Sequence, residues 1–272
     1  MIPNAVKQAW SEGRPTLNGW LGIGNPFTAE IMAAAGFDSL TIDLQHGFLD
    51  YSDAKAMLQA MRASGVTPIA RAPWREPGII MKLLDAGAYG IICPMVNTAE
   101  EAADLVSMVR YPPRGNRSFG PTRVSFSAGA NYPAEANDQV MVLAMIETGE
   151  AFTNVDAICA TPGLDGIYIG PSDLTLGVTN GRLPAGVDRT EPEMIDTIKD
   201  ILAAAKRAGI AAGLHCGTPA YAAQAVGWGF DMVTIAADSA LLASGSRGAV
   251  TEARALLGGG AGAGSGDKPS GY

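Results

Sequence analysis

The chain predicts an α/β fold, a (β/α)8 TIM barrel, on three observations. Eight short β-type runs alternate with helical stretches from one end of the sequence to the other. Most of those runs are apolar throughout, the pattern of parallel strands covered by helices, and not the in–out alternation of a half-exposed sheet. A length of 272 residues with 47% hydrophobic content then accommodates eight βα units around one large core.

The eight strands are expected at 17–23, 39–44, 67–72, 90–95, 141–147, 166–170, 211–215 and 232–237. Between them lie amphipathic stretches such as YSDAKAMLQAMRASG, EPGIIMKLLDAGA, TAEEAADLVSMVR and EPEMIDTIKDILAAAKRAG. Several open on Ser, Thr, Pro or Asp and close on Gly, as helix ends do. The junctions AAGFDSL, AGAYGII, TPGLDGIYI and GWGFDMVTI repeat a glycine step into a strand, the turn chemistry of a barrel built from like units. A doubly wound sheet ranks second, because no G-x-G-x-x-G follows the first strand. Residues 1–257 form a single domain, closed by a C-terminal helix at 239–257. Residues 258–272, with seven glycines, are read as a flexible tail. Two long connections stand out. Residues Tyr111–Asn137 open within the run RYPPRGNRSFGPTR, four arginines in fourteen residues, and are long enough to reach a neighbouring subunit, and residues 174–190 lie at the catalytic rim as a candidate lid.

A net charge of −8 argues against nucleic acid or an anionic membrane as partner, since both demand a basic face. No stretch approaches the ~20 apolar residues of a spanning helix, so a cytoplasmic location is expected. Cys93, Cys159 and Cys216 are odd in number and set among apolar residues, which fits reduced core thiols and no zinc site.

In such barrels the chemistry sits at the C-terminal ends of the strands. There the sequence puts Trp20; Asp43 and His46, flanking Gln45; Arg71; Glu147; Gly170, Pro171, Ser172 and Asp173; and His215. Glu147 and Asp173 end consecutive strands and are hard anionic ligands without His or Cys beside them. They suit a divalent cation that keeps positions open for water and a 2-oxo acid. Such an ion is a Lewis acid for the negative charge that develops on a ketone oxygen, and Arg71 brings a fixed planar charge to the same oxygen. His46 carries protons near neutrality, with Asp43 orienting its ring, and the amides of Ser172 and Asp173 receive the substrate carboxylate. Each residue also has a structural reading: Glu147 or Asp173 as a helix cap, Arg71 as a salt bridge, His215 as a packing residue. No predicted strand ends in a lysine, as a Schiff-base aldolase would require.

At DLQHG, IARAP, GIICPMV, RYPPRGNRSFG, AMIET and GIYIGPSDL, in that order, the chain resembles the metal-dependent class II pyruvate aldolases of the 4-hydroxy-2-oxoheptanedioate aldolase family, which includes 2-keto-3-deoxy-sugar-acid aldolases. The resemblance spans roughly residues 5–257. It implies that Glu147 and Asp173 hold Mg²⁺, Mn²⁺ or Co²⁺, that His46 with Asp43 is the catalytic pair, and that Arg71 binds the pyruvyl oxygen. It further implies a homo-hexamer, a trimer of dimers exchanging the 239–257 helices. The family pattern is often Asp-x-Glu-His, whereas Gln45 stands here, and His215 replaces a commonly aliphatic residue near the aldehyde. The reaction implied is reversible cleavage of a 4-hydroxy-2-oxo acid to pyruvate or hydroxypyruvate plus an aldehyde. A citrate-lyase-like carbon–carbon lyase acting on a CoA thioester is the alternative.

Overall fold

The structure, a computed structural model, describes residues 1–258. Helix α1 (Ala5–Ser11) precedes the barrel. There follow β1 (Thr16–Leu21), α2 (Pro26–Ala33), β2 (Ser39–Asp43), α3 (Tyr51–Ala60), β3 (Thr67–Arg71), α4 (Pro77–Ala86), β4 (Gly90–Cys93), α5 (Ala99–Val109), α6 (Val124–Ala128) and α7 (Tyr132–Gln139). The second half runs β5 (Met141–Ile146), α8 (Gly149–Thr153), α9 (Val155–Cys159), β6 (Gly166–Ile169), α10 (Pro171–Val178), α11 (Pro192–Ala208), β7 (Ala211–His215), α12 (Pro219–Trp228), β8 (Met232–Ala237) and α13 (Asp238–Leu256). The strands close in chain order, and every neighbouring pair is parallel, β8 back to β1 included. The expected (β/α)8 barrel is what the chain forms.

Burial on both faces explains the unbroken apolar runs. On β5, Met141, Leu143 and Met145 face a core inside the barrel with Trp20, Ile69, Ile92, Tyr168 and Met232. The alternate residues Val142, Ala144 and Ile146 face the helices. The two-residue period of a strand carries this parity upward, so the inward layer above Met145 belongs to Glu147, and the layer above Ile69 to Arg71. At the other end α1 plugs the barrel: its Val6 joins the inner core, and Asn4 caps the helix while donating to the Gln139 carbonyl at 2.8 Å.

Three expectations need correction in detail. The first strand stops at Leu21, and Ile23 makes only an isolated bridge to Phe48. The 111–137 connection is not structureless, since it contains α6 and most of α7, and its arginines fold back on the N-terminal end of the barrel. Arg117 is buried, donating to Asp85 at 2.6 Å and to the Tyr132 hydroxyl at 2.8 Å, with its guanidinium 4.4 Å from the Tyr111 ring centre. Arg110 holds the Val140 carbonyl and Asp165, each at 2.6 Å, and Arg123 ties down the carbonyls of Leu58 and Ala86. The 174–190 segment starts as helix, because α10 continues to Val178. Its remainder is moored through Asp188, which accepts from the Gly217 amide and the Thr218 hydroxyl, both at 2.7 Å.

No helix among the described residues is long and apolar enough to cross a membrane. All three cysteines are free and buried. The 239–257 helix is observed as α13. The glycine-rich tail lies outside the described residues from 259 onward.

Candidate active site

A cavity of about 300 Å³ opens at the C-terminal mouth of the barrel, lined by Trp20, Asp43, His46, Arg71, Glu147, Gly170, Pro171, Ser172, Asp173 and His215, while Gln45 of the same predicted rim is not among its lining residues.

Asp43 and Arg71 pair in register on β2 and β3. The Arg71 fork donates to Asp43 through Nε at 2.8 Å and Nη2 at 2.6 Å, and both side chains are buried. Asp43 also accepts from Trp20 Nε1 at 3.1 Å and from the backbone amides of Gln45 and His46 at 3.0 and 3.2 Å. Burial works against the carboxylate, but the bonds and charge of Arg71, then Trp20 and the His46 amide, outweigh it and hold Asp43 below the usual range. It is therefore an anion whose first duty is to aim Arg71, and it fixes the His46 turn through that residue's backbone. Gly47 lets the turn close, since a Cβ there would lie 2.2 Å from the Asp43 carbonyl oxygen. Arg71 also lies over Trp20, 5.0 Å from the ring centre. Among the described residues its Nη1 has no hydrogen-bond partner and remains for a ligand. The Gln45 Oε1, in place of the expected acidic residue, is buried with no partner among the described residues.

Neither carboxylate of the proposed pair is a helix cap. Thr148 caps α8, accepting from Ala151 at 2.9 Å, while Glu147 ends the inward row of β5. Asp173 lies in the first turn of α10, whose cap position is Gly170. Glu147 Oε1 accepts from the Met95 amide at 2.8 Å. Its Oε2 lies toward Gly170, where a Cβ would stand only 2.7 Å away. Burial pushes the Glu147 pKa up to about 7, with the charge of Asp173 adding to the rise and the Met95 amide and Arg71 opposing it.

These features fit a hard divalent cation. Two carboxylates of one cavity feel each other's charge, one of them is strongly desolvated, and its second oxygen is kept open by a glycine. Among the described residues no cluster of three or more His, Cys, Asp or Glu could hold an ion, so the protein would supply two ligands and leave the rest of the shell to water and substrate. Beside the pair, α10 begins with Pro171, and the amides of Ser172 and Asp173 have no backbone acceptor among the described residues, as expected of a helix N-terminus open to an anion.

His215 ends β7, the strand next to β6, and stands edge-on to Trp20 with ring centres 4.9 Å apart. Burial, then the positive charge of Arg71, lowers its pKa to about 4, so the ring is neutral at physiological pH. Asp238, the acidic residue of the eighth strand's end, serves the scaffold: it accepts from the amides of Gly22, Ile23 and Ser239 at 2.9, 3.0 and 2.7 Å.

Sequence reasoning passed over Met95. It has φ 57, a left-handed conformation rare for a residue with a side chain, and this aims its amide at Glu147. The turn is braced by Asn97, which donates to the Met95 carbonyl at 3.3 Å and accepts from Thr148 at 2.5 Å. Nothing in the residue type signals this, because the contribution is a backbone N–H. Val187 and Phe48, also on the cavity wall, come from loops whose course periodicity does not predict.

A parallel eight-stranded barrel with a carboxylate pair, an oriented arginine and a helix N-terminus at its mouth defines an enzyme class built to stabilise a developing oxyanion. Residues 18–245 match the family model described as HpcH/HpaI aldolase/citrate lyase, and the chain belongs to that family. It is 44% identical over 253 residues to the hydroxypyruvate/pyruvate aldolase of Rhizorhabdus wittichii, a match covering 93% of this chain and 100% of that protein. It is 36% identical over 240 residues to the 5-keto-4-deoxy-D-glucarate aldolase of Citrobacter koseri, covering 88% and 91%. Among solved structures it resembles an HpcH/HpaI aldolase/citrate lyase family protein from Burkholderia cenocepacia, with a TM-score of 0.84, 32% identity, and coverage of 92% and 99%.

Proposed function

We infer that the chain is a carbon–carbon lyase, a divalent-metal-dependent class II aldolase that reversibly cleaves 4-hydroxy-2-oxo acids to pyruvate or hydroxypyruvate and an aldehyde. The observation that carries this reading is the meeting of Glu147, Asp173 and Arg71 on one cavity. The names of the relatives agree with it.

Glu147 and Asp173 would hold Mg²⁺, Mn²⁺ or Co²⁺, which when bound supplies Lewis acidity at the 2-oxo oxygen. Arg71, aimed by Asp43, presents Nη1 to that oxygen as its charge grows. The amides of Ser172 and Asp173, with Gly170 and Pro171 shaping the wall, receive the carboxylate. His46 moves the proton at the C4 hydroxyl as the C3–C4 bond breaks. Trp20 excludes water from Arg71 and closes the side of the pocket. His215 lies where the aldehyde carbon would leave.

The CoA-thioester alternative has less support. Arg110, Arg117 and Arg123 are committed to carbonyls and carboxylates at the far end of the barrel and offer no groove for a nucleotide at the mouth.

The assembly we propose is a homo-hexamer, a trimer of dimers exchanging α13. Only Asp238 of that helix is buried, Leu242 and Leu256 are 64% and 81% exposed, and an apolar trough of about 950 Å³ runs between α13 and the barrel past Met32, Phe37 and Ile235. The reduced state of three buried thiols agrees with a cytoplasmic enzyme.

The test is retro-aldol turnover after dialysis against EDTA, followed by restoration with Mg²⁺, Mn²⁺ or Co²⁺. Activity should vanish and return. Undiminished cleavage by the metal-free enzyme would overturn the assignment.

A further inference from the structure

Inside the barrel a file of buried polar side chains leads to the cavity wall. Ser39 and Thr41, on β2, both place their hydroxyls on Asn18 Oδ1, at 2.9 and 3.0 Å. Asn18 Nδ2 stands 2.9 Å from Thr234 Oγ1. Thr234 Oγ1 is 2.5 Å from the Tyr168 hydroxyl, which in turn is 3.0 Å from His215 Nδ1. Ser39, Thr41, Asn18, Thr234 and Tyr168 are all buried.

Counting protons along this file fixes its direction. Among the described residues Thr41 has only Asn18 Oδ1 to receive its hydroxyl proton, and a buried hydroxyl left undonated is costly. Asn18 therefore turns its carbonyl to β2 and its amide to Thr234, which settles the orientation of a group whose O and N look alike. Thr234 Oγ1 accepts from Asn18 and must give its own proton to Tyr168. Tyr168 then gives its proton to His215 Nδ1. Reversing the last two bonds would leave the Thr234 proton with no acceptor among the described residues. Nδ1 is thus an acceptor, and the neutral ring carries its hydrogen on Nε2, which has no protein partner among the described residues on a ring that lines the cavity.

We propose that His215 is a specificity-determining hydrogen-bond donor, locked as the Nε2–H tautomer by the Ser39/Thr41–Asn18–Thr234–Tyr168 file, that selects substrates carrying a hydroxyl beside the bond being made or broken. Tyr168 is its positioning residue. This deepens the aldolase reading and rests on it for the identity of the reaction. A neutral donor recognises an oxygen lone pair without attracting a second carboxylate, so hydroxylated substrates gain over alkyl ones. The same chemistry has two sources, the 3-hydroxyl of hydroxypyruvate or the α-hydroxyl of an acceptor such as glycolaldehyde.

Two measurements on the full-length, metal-loaded enzyme test it. The first is ¹⁵N NMR of protein labelled on its two histidines, with His215 assigned by loss of its signals in His215→Leu. Nε2 should be protonated and Nδ1 bare from pH 6 to 8; an Nδ1–H ring refutes the proposal whatever the enzyme's activity. The second is kcat/KM for wild type, His215→Leu, His215→Gln and Tyr168→Phe with pyruvate against hydroxypyruvate, and with propanal against glycolaldehyde. His215→Leu should lower the preference for the hydroxylated partner by about 10-fold, the worth of one such bond, His215→Gln should restore part of it, and Tyr168→Phe should lower it less. The pair in which the preference collapses names the source of the hydroxyl. An unchanged preference in both pairs overturns the proposal, whereas wild type without metal-dependent cleavage of any pair refutes the aldolase reading and leaves the tautomer to the NMR result. Should Tyr168→Phe fail to fold, Thr234→Val interrupts the same file one bond earlier.

Discussion

Glu147→Gln removes one negative charge from the cavity while keeping the side-chain shape and an acceptor for the Met95 amide. In the metal-free protein the carboxyl's pKa is lifted by burial, and by the neighbouring Asp173, from the ordinary 4.5 to about 7. A raised carboxyl stabilises the fold fully below its unfolded pKa, where it is protonated in both states, and that contribution is lost as pH rises through the folded value. The loss is 2.303RT for each pH unit between the two values, so wild type should forfeit about 3 kcal/mol between pH 4.5 and 8 that the glutamine variant keeps. For a domain of this size that corresponds to a Tm about 5–10 °C higher for the variant in EDTA at pH 8, shrinking to nothing near pH 4.5. Differential scanning calorimetry of both proteins across that range measures it. Saturating Mn²⁺ should reverse the order, because the cation binds the native wild type and has lost a ligand in the variant. Equal melting temperatures in EDTA at every pH, or no shift of wild type by any divalent ion, would refute the reasoning that joins burial, charge and metal at this residue.

Arg71→Ala should leave the cation bound, as followed by calorimetric titration, yet slow solvent-deuterium exchange at C3 of pyruvate by on the order of 10²-fold. Gly170→Ala places a Cβ 2.7 Å from Glu147 Oε2 and 2.9 Å from the Met145 methyl, so cation affinity should drop by about 10-fold or more with the fold retained, read by the same titration and by circular dichroism. Asp43→Asn strips the buried Arg71 of its counter-charge and should cost about 3 kcal/mol or more in urea denaturation; a neutral result would show that the pair is dispensable to the fold.

The barrel was legible because its strands are short, apolar on both faces and separated by helices of ordinary length. The strand ends were read within a few residues. The helices of the 111–137 connection were missed for a physical reason: α6 and α7 are five and eight residues long, too short to display a period, and their placement depends on contacts from distant parts of the chain. The burial of Arg117 in RYPPRGNRSFG is not legible because a sequence shows charge and not the groups that will surround it. Arg117 lies at 2% exposure because Asp85, Tyr132 and Tyr111 converge on it from 32, 15 and 6 residues away.

The active-site rim was readable for a deeper reason, the parity of the strands. On β2 the inward residues are Ser39, Thr41 and Asp43; on β3, Ile69 and Arg71; on β5, Met141, Leu143 and Met145, with Glu147 next; on β6, Tyr168, with Gly170 next; on β7, Gly213 and His215. Each row ends in the residue that meets the cavity, so the two-residue period that sorts core from helix-facing positions also delivers the functional groups to one layer. What parity does not reveal is which groups pair within that layer. Asp43 lies three residues from His46 in sequence, but its carboxylate is claimed by Arg71 on the next strand at the matching register, because two buried opposite charges one strand spacing apart stabilise each other more than either would be stabilised by water it cannot reach. The arginine proposed to meet the 2-oxo oxygen is thereby held still before substrate arrives, and in the proposed reaction Asp43 would act through Arg71 at least as much as through His46.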